Sequence, residues 1–389
     1  MDMYAMQPGQ AESTSGAIAW QGKALGRVPL LRQTDHRAAA PNRYSRWSQF
    51  EETLARDPRL ADGFTRYAVK GFFANGGRLC YVQMIDYEGD FPSSAEIAAG
   101  LEAILAIDDV DLICVPDLMR PAKNRPVDRE AITQLQAEVL RFCDDHGRHF
   151  AILDSLPGAD AAEVLEQRRD LHGDNGALYY PWIKIPDGPA ATQGYIPPCG
   201  HVAAIYARSD ERVGVHKAPA NEELRDVVDL EIAVDREAQD KLNPEGVNCI
   251  RAFPGRGIRV WGARTLSTTP FWTYVNVRRI FITAARWIDQ NMAGYVFEPH
   301  TPDLWARITR DLTAYFTGLQ RQGALKGTTP EEAFFVRCNQ ETNPEEARDL
   351  SQVVAEIGLA PTEPGEFIVV RIIQRASGMS IVGPGQFGA

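Results

Sequence analysis

Between Leu79 and Ile185 short apolar runs alternate with longer segments of helical periodicity, and this alternation restricts the fold more than any other feature of the chain. Leu79 to Ile85 reads as a strand. Ser93 and Glu96 then have capping-box spacing for a helix that carries Ile97, Leu101, Ile104 and Leu105 on one face. Asp111 to Val115 is a second strand, Asp128 to His146 a helix with Ile132, Leu135, Val139 and Phe142 inward, and Phe150 to Leu153 a third strand. Asp160 to Leu171 and Ala177 to Ile185 repeat the cycle. Strands separated by helices require crossover connections, so the pattern predicts a mostly parallel sheet with both faces covered. Upstream, a strand is predicted at Gly16 to Gly22 and helices at Arg46 to Ala55 and Asp62 to Asn75, the latter stopped by Gly76-Gly77. Downstream, Tyr195 to Asp210 begins as a proline-stiffened loop and becomes a helix whose small residues allow close approach to a neighbour. Val213 to Leu224 has the turn chemistry of an exposed loop.

The segment Gly246 to Arg279 changes the pattern. Cys249, Arg251 and Phe253, then Ile258, Arg259 and Val260, flank Pro254-Gly255-Arg256-Gly257, which predicts two short strands joined by a tight turn in which glycine supplies positive φ. The spacing of Gly255, Gly257 and Gly262 does not fit a dinucleotide loop. Arg251, Arg256, Arg259, Arg264, Arg278 and Arg279 form the basic concentration of the chain, and two readings stand: solvated or internal ion pairs, or subunit contact.

After Ser267 to Pro270, a helix from Tyr274 to Asn291 places Val277, Ile280, Phe281, Ala284 and Ile288 on one face, with Arg278, Arg279 and Arg286 outside it. Thr301 caps a second helix, with Pro302 at its first position and Leu304, Trp305, Ile308, Leu312, Phe316 and Leu319 lining its buried side. Thr329 to Glu332 has capping-box spacing ahead of a strand at Ala333 to Cys338. Further strands are predicted at Val353 to Leu359 and Phe367 to Ile373, and residues 375–389 as a loose, glycine-rich tail. Helices followed by runs of strands predict an α+β unit. The chain therefore divides into an arm at 1–15, an α/β domain at 16–265, an α+β domain at 266–374 and a tail at 375–389.

Composition excludes several function classes. The 41 basic against 52 acidic residues, net charge -11, argue against a general nucleic-acid binder. The six cysteines are scattered, without a CxxC pair or zinc spacing, and read as small buried hydrophobes in a reducing compartment. No apolar run is long enough to span a membrane and residues 1–10 lack a signal-peptide pattern, so synthesis and folding in the cytoplasm are expected. No P-loop is present, and no cofactor or metal site is expected. His146 and His149 read as helix-end cations rather than metal ligands. Asp154, Ser155, His201 and His216 are the residue types of a hydrolytic triad, but no GxSxG elbow accompanies them, and no catalytic residue is expected.

The runs LNPEGVNCIRAFPGRGIRVWGARTLS, YVNVRR, VFEP, LWARI, GALKGTTPEEAFFVRCN and EFIVVRIIQ resemble the sheath protein of contractile phage tails and of phage-tail-like injection particles, and the resemblance runs in family order from about Ser15 to Gln374, nearly the whole chain. The resemblance implies a subtilisin-like α/β sheath domain without protease function, followed by an α+β sheath domain with terminal arms. It also implies a structural role, in which hexameric rings stack around an inner tube and contract from a baseplate, with cap or terminator proteins as further partners. A place in the assembled tail or tail-like particle follows, with no nucleic acid bound and no stable membrane insertion. Subunits of such sheaths stay linked by strands lent to a neighbour's sheet, and the candidate strand here is Phe367, Ile368, Val369, Val370, Arg371, Ile372, Ile373 and Gln374; an ordinary internal strand is the other reading. One departure is visible: Pro8-Gly9 is followed by Gln10-Ala11-Glu12 where the family has a β-forming arm. An α/β hydrolase and a non-contractile scaffold remain the alternatives in other classes.

Overall fold

The computed structural model describes residues 18–19, 41–57, 60, 63–85, 92–120, 128–349, 352–362, 368–375 and 378–382. These divide into two compact units. The larger runs to Arg212 and resumes at Ala218–Val275; the smaller contains Val213–Lys217 and everything from Asn276 onward.

In the larger unit the elements are β1 (Ile18–Ala19), β2 (Asn42–Tyr44), α1 (Trp47–Arg56), α2 (Thr65–Ala74), β3 (Cys80–Val82), α3 (Ser94–Glu102), β4 (Leu112–Cys114), α4 (Arg129–His146), β5 (Phe150–Asp154), α5 (Ala161–Arg169), β6 (Gly176–Tyr180), β7 (Ile183–Lys184), β8 (Tyr195–Ile196), α6 (Cys199–Arg212), β9 (Glu222–Glu223), β10 (Asp229–Leu230), α7 (Arg236–Leu242), β11 (Val247–Phe253) and β12 (Gly257–Trp261). A six-stranded sheet runs β4-β5-β6-β11-β12-β9. Its first four strands are parallel, as the alternation predicts, and β12 and β9 extend it antiparallel. The strand predicted first, β3, lies elsewhere, between β1 and β2 in a separate three-stranded sheet. The strand predicted over 177–185 breaks at Pro181, which has no N–H to give a ladder, and its second half pairs as β7 with β8 and β10. The predicted 213–224 loop ends in β9, which pairs with β12.

Both faces of the sheet are covered, because successive side chains point to opposite sides. Gly176 faces α4, where a Cβ would lie 2.1 Å from Leu140 Cδ2; Tyr179, of opposite parity, bonds Tyr206 of α6 through its hydroxyl at 2.7 Å. Every residue of β4, β5 and β6 is buried, the continuous pattern a doubly covered parallel strand requires. Helix α6 packs in turn on α2 at very short range. The small residues make this possible: a Cβ on Gly200 would meet the Ala68 carbonyl oxygen at 2.3 Å. The capping box at Ser93 and Glu96 forms, as does the one at Asp160 and Glu163. The glycine-bearing turn joins β11 to β12 with φ of 70° at Gly255 and 76° at Gly257.

The smaller unit contains α8 (Val275–Met292, whose first residue belongs to the larger unit), α9 (Pro302–Arg321), α10 (Pro330–Ala333), β13 (Phe334–Arg337), α11 (Glu345–Asp349), β14 (Val353–Leu359), β15 (Ile368–Arg375) and β16 (Gly378–Val382). The four strands form an antiparallel sheet in chain order. Thr301 caps α9, and Leu304, Trp305, Ile308, Leu312 and Phe316 are buried as the 3.6-residue period requires. Three expectations are corrected here. Thr329 makes no side-chain cap; the Glu332 carboxylate instead accepts from the backbone N–H and hydroxyl of Thr328. Arg279 is not on an outer face but only 4% exposed, because α8 buries Val275, Ile282 and Ala285 beyond the predicted stripe and the apolar surface wraps further round the helix. Residues 378–382 are a strand rather than a loose tail, paired to β15 from Arg375↔Gly378 to Arg371↔Val382.

Candidate functional site

The carboxyl ends of parallel strands are where α/β proteins open ligand crevices, so the polar groups there test for chemistry first. Asp117, in the turn after β4, is buried, and its carboxylate accepts from the N–H groups of Phe64 and Thr65 and from the Thr65 hydroxyl at 2.6 Å. It therefore caps α2 from about fifty residues away. Asp154, at the end of β5, is equally buried and accepts from the Cys199 N–H at 2.8 Å, at the start of α6. Its own carbonyl accepts from Gln136 and Gln167. The two strand ends thus hold the N-termini of the paired helices α2 and α6, and the groups that would line a crevice are committed to helix caps.

Burial shifts these groups in opposite directions by sign. Asp117 and Asp154 are each pushed up to about 7, because desolvation outweighs their hydrogen bonds. His149 and His201 are pushed down to about 4, also by burial. His149 is therefore a neutral core side chain, with Nδ1 on the Val110 carbonyl at 2.9 Å, and not the helix-end cation its sequence position suggests. His146 does sit at the end of α4, with Nδ1 2.9 Å from the Phe142 carbonyl. The triad types are not joined: Ser155 Oγ and His201 Nδ1 have no hydrogen-bond partner among the described residues, and Asp154 is occupied by Cys199. His216 falls in the smaller unit, where its carbonyl accepts from Asn276. Among the described residues no group of three or more His, Cys, Asp or Glu side chains is placed to hold a metal ion.

The Asp154 carboxyl carries a pH prediction. Its folded value lies above the model-compound 3.8, so the stability it contributes is present in acid and is lost as pH rises through about 7. Asn in its place keeps an acceptor and never ionises. Asp154→Asn should be more stable than wild type, by a margin that grows by about 2–3 kcal/mol between pH 5 and pH 8 at ~1.4 kcal/mol per unit. Chemical denaturation at the two pH values checks this; a margin that shrinks with pH contradicts the buried-carboxyl account. The buried histidines act with the opposite slope, but equally in both proteins.

The predicted surface residues fall into separate places. Ile368 to Gln374 lie in β15, which pairs on one side with β14, from Leu359↔Ile368 to Val353↔Gln374, and on the other with β16. Within one chain it is an interior strand, and the sheet edges are β13 and β16. Phe367 lies outside the described residues. Arg251 donates through Nε to the Val234 carbonyl at 3.0 Å, Arg256 to Asn221 Oδ1 at 2.8 Å, and Arg259 to the carbonyls of Arg256 and Asn221, both at 2.8 Å. Arg264 reaches the Pro244 carbonyl at 3.2 Å and lies 5.8 Å from the Tyr274 ring centroid. None of these four has a carboxylate partner among the described residues. Arg278 and Arg279 are both engaged, on α8. The six arginines therefore split into three on the β11–β12 hairpin, one at its base and two on the helix. Sequence reasoning missed the long-range caps at Asp117 and Asp154. It also missed Phe297, which is 97% exposed with φ of 69° and carries no local signal beyond the turn itself.

The polar groups at these strand ends are given over to helix caps, a structural use of the place where an α/β protein would open a ligand crevice. Residues 92–266 match the phage tail sheath protein central domain and residues 267–375 the phage tail sheath C-terminal domain, and the chain belongs to the phage tail sheath family. Among solved structures it resembles a chain of the anti-feeding prophage baseplate, 6-fold symmetrised, at 27% identity and TM-score 0.72, with 94% of this chain and 96% of that one covered. A sheath chain of the extracellular contractile injection system PVC, in its contracted state, gives 25% identity, TM-score 0.72 and coverage of 97% and 96%. The tail sheath protein of Salmonella phage ViI is 25% identical over 214 residues, 52% of this chain and 32% of that protein. The match spans between 26% and 47% of the length of the curated relatives.

Proposed function

We propose that this chain is the subunit of a contractile sheath, in which copies assemble as stacked six-fold rings around an inner tube and shorten to drive that tube through a target envelope. The observation that carries the reading is the likeness, over 97% of the chain, to a sheath chain from a contracted injection system. Physically the role needs a heterologous interface that continues rather than closes, and two packings of the same subunits separated by a barrier. Energy stored at assembly makes nucleotide unnecessary at firing. A few kcal/mol per subunit, summed over on the order of hundreds of copies, far exceeds one hydrolysis. Baseplate, tube and cap or terminator proteins are the partners, with no nucleic acid and no stable membrane insertion; no helix among the described residues is long and apolar enough to cross a membrane. Synthesis and assembly in the cytoplasm belong to the same reading.

The finer assignments follow from it. The division of labour runs between an α/β part at 16–265, subtilisin-like in arrangement, and an α+β part at 266–374, with arms at 1–15 and 375–389. The strand 367–374 with the segment after it links neighbours by β-augmentation, since backbone hydrogen bonds hold while subunits slide. Negative-stain microscopy of the purified chain tests the proposal. Striated cylinders that exist in a long and a short form support it, whereas dispersed particles at high concentration and in the presence of the tube overturn it.

A further inference from the structure

We infer that the β11–β12 hairpin is a cationic plug that docks on the acidic Glu341–Asp349 segment of a neighbouring copy of this chain. The inference rests on the sheath reading and names one of the contacts that reading requires. The antiparallel register Arg251↔Arg259 and Phe253↔Gly257 puts Arg251, Phe253 and Arg259 on one face of the hairpin, with Trp261 two residues further along. Phe253 and Trp261 meet at 4.5 Å between ring centroids. The Arg251 guanidinium lies 5.3 Å from the Phe253 centroid, and that of Arg256 5.5 Å from Phe253 and 5.9 Å from Trp261. Asn221, held at φ 58°, orients the tip by accepting from Arg256 through its side chain and from Arg259 through its carbonyl. These contacts use backbone oxygens, an amide and ring faces, leaving each guanidinium with spare N–H donors and no ion-paired carboxylate among the described residues, with Glu223 as the acidic cross-strand neighbour of Arg259. Rigidly held guanidiniums with free donors match carboxylates in paired geometry.

The counterpart lies in the smaller unit. Glu341, Glu345, Glu346 and Asp349 are exposed; among the described residues none of them has a cation partner and Arg348 between them makes no ion pair, while Arg337 is taken by Glu356. Several other acidic groups are matched within the chain, Glu163 by Arg129, Glu211 by Arg78 and Glu298 by Arg307, whereas this segment gathers four unmatched carboxylates within nine residues. Two copies meeting hairpin to hairpin would bring arginines against arginines. The favourable partner surface is therefore a different one, and a contact between two different surfaces repeats from copy to copy instead of closing into a dimer. A net charge of -11 also turns the hairpin toward the chain's own kind rather than toward a polyanion.

A charge-swap experiment on the full-length chain tests this. Self-association is read by sedimentation velocity across a salt series, and cylinders by microscopy, for wild type, Arg256→Glu/Arg259→Glu, Glu345→Lys/Glu346→Lys, and an equimolar mixture of the two variants; circular dichroism establishes that each variant is folded. Each variant alone should associate at least about tenfold more weakly than wild type, and the mixture should recover most of the loss, with the recovery erased by high salt. Unchanged association of the hairpin variant, or a mixture no better than its components, overturns the contact while leaving wild-type cylinders and the sheath reading standing. Absence of any wild-type self-association overturns both. Binding of a labelled DNA oligonucleotide that disappears in the hairpin variant, with self-association unchanged, assigns the plug to a polyanion instead and also overturns it.

Discussion

Removal of residues 367–389 is expected to leave a soluble chain that forms no long cylinders, with about a tenfold or greater loss of sedimentable assembly. In the single chain β15 pairs along seven residues with β14 and along five with β16. In the proposed linkage, a neighbour that received this ribbon, or lent one to its edge, would gain the same ladder between copies, and backbone hydrogen bonds would hold while side-chain contacts rearrange. Deletion of the whole ribbon also uncovers β14, whose run Val353 to Leu359 is mostly apolar, so an unprotected edge is created. A second truncation, of residues 376–389 alone, keeps β14 covered and still shortens the link. The shorter truncation should melt cooperatively and sediment as a small species, which separates loss of the link from association through the bared β14 edge. Cylinders of normal length from the longer truncation would remove the linkage role from this end of the chain.

Gly200→Val is expected to cost at or above the roughly 3 kcal/mol upper end for overpacking, and to yield mostly insoluble protein. The added Cβ has no room: it would lie 2.3 Å from the Ala68 carbonyl oxygen and 2.5 Å from its Cα, both backbone atoms that no rotamer change can move. Helix α2 is also tied by Asp117 at its start, and α6 by Asp154 at its own, so neither helix is free to slide aside. Gly71 meets the His201 ring across the same seam, where a Cβ would lie 2.1 Å from Cε1, so Gly71→Ala should be costly as well but less so, since a side chain is the obstacle. Denaturant melts of the soluble fraction, or the yield of folded protein, decide it; a Gly200→Val chain with wild-type stability would mean that the two helices are not held at this distance.

The legible elements share one property, that their signal lies within a few residues. Ser93 with Glu96, Thr301 with Pro302, and the Gly255–Gly257 turn each announce a local hydrogen bond or a local φ, and each forms. The small residues of α6 likewise signal close approach, which Gly200 and Gly71 confirm. The failures involve partners far off in the chain. Leu79 to Ile85 has the composition of a central strand, but which sheet receives β3 depends on β1 and β2. Arg279 occupies a position that a one-sided helix would expose, and is buried because α8 is covered over a wider arc. Asp117 looks like a turn residue, and only the arrival of Thr65 and Phe64 beside it makes it a cap.

Periodicity, caps and turn glycines were enough to specify an α/β stretch followed by an α+β stretch, since helix and strand preferences act over one or two turns of backbone. The reading of the cysteines as buried hydrophobes also holds, with all six cysteines free and buried. Three-dimensional packing set the rest: which sheet takes each strand, that the strand-end carboxylates serve as helix caps, and that three of six arginines cluster on one hairpin while two lie along α8. These depend on residues tens of positions apart meeting in space, and burial and desolvation, which set the charge of Asp154 and His201, have no meaning until that meeting has occurred.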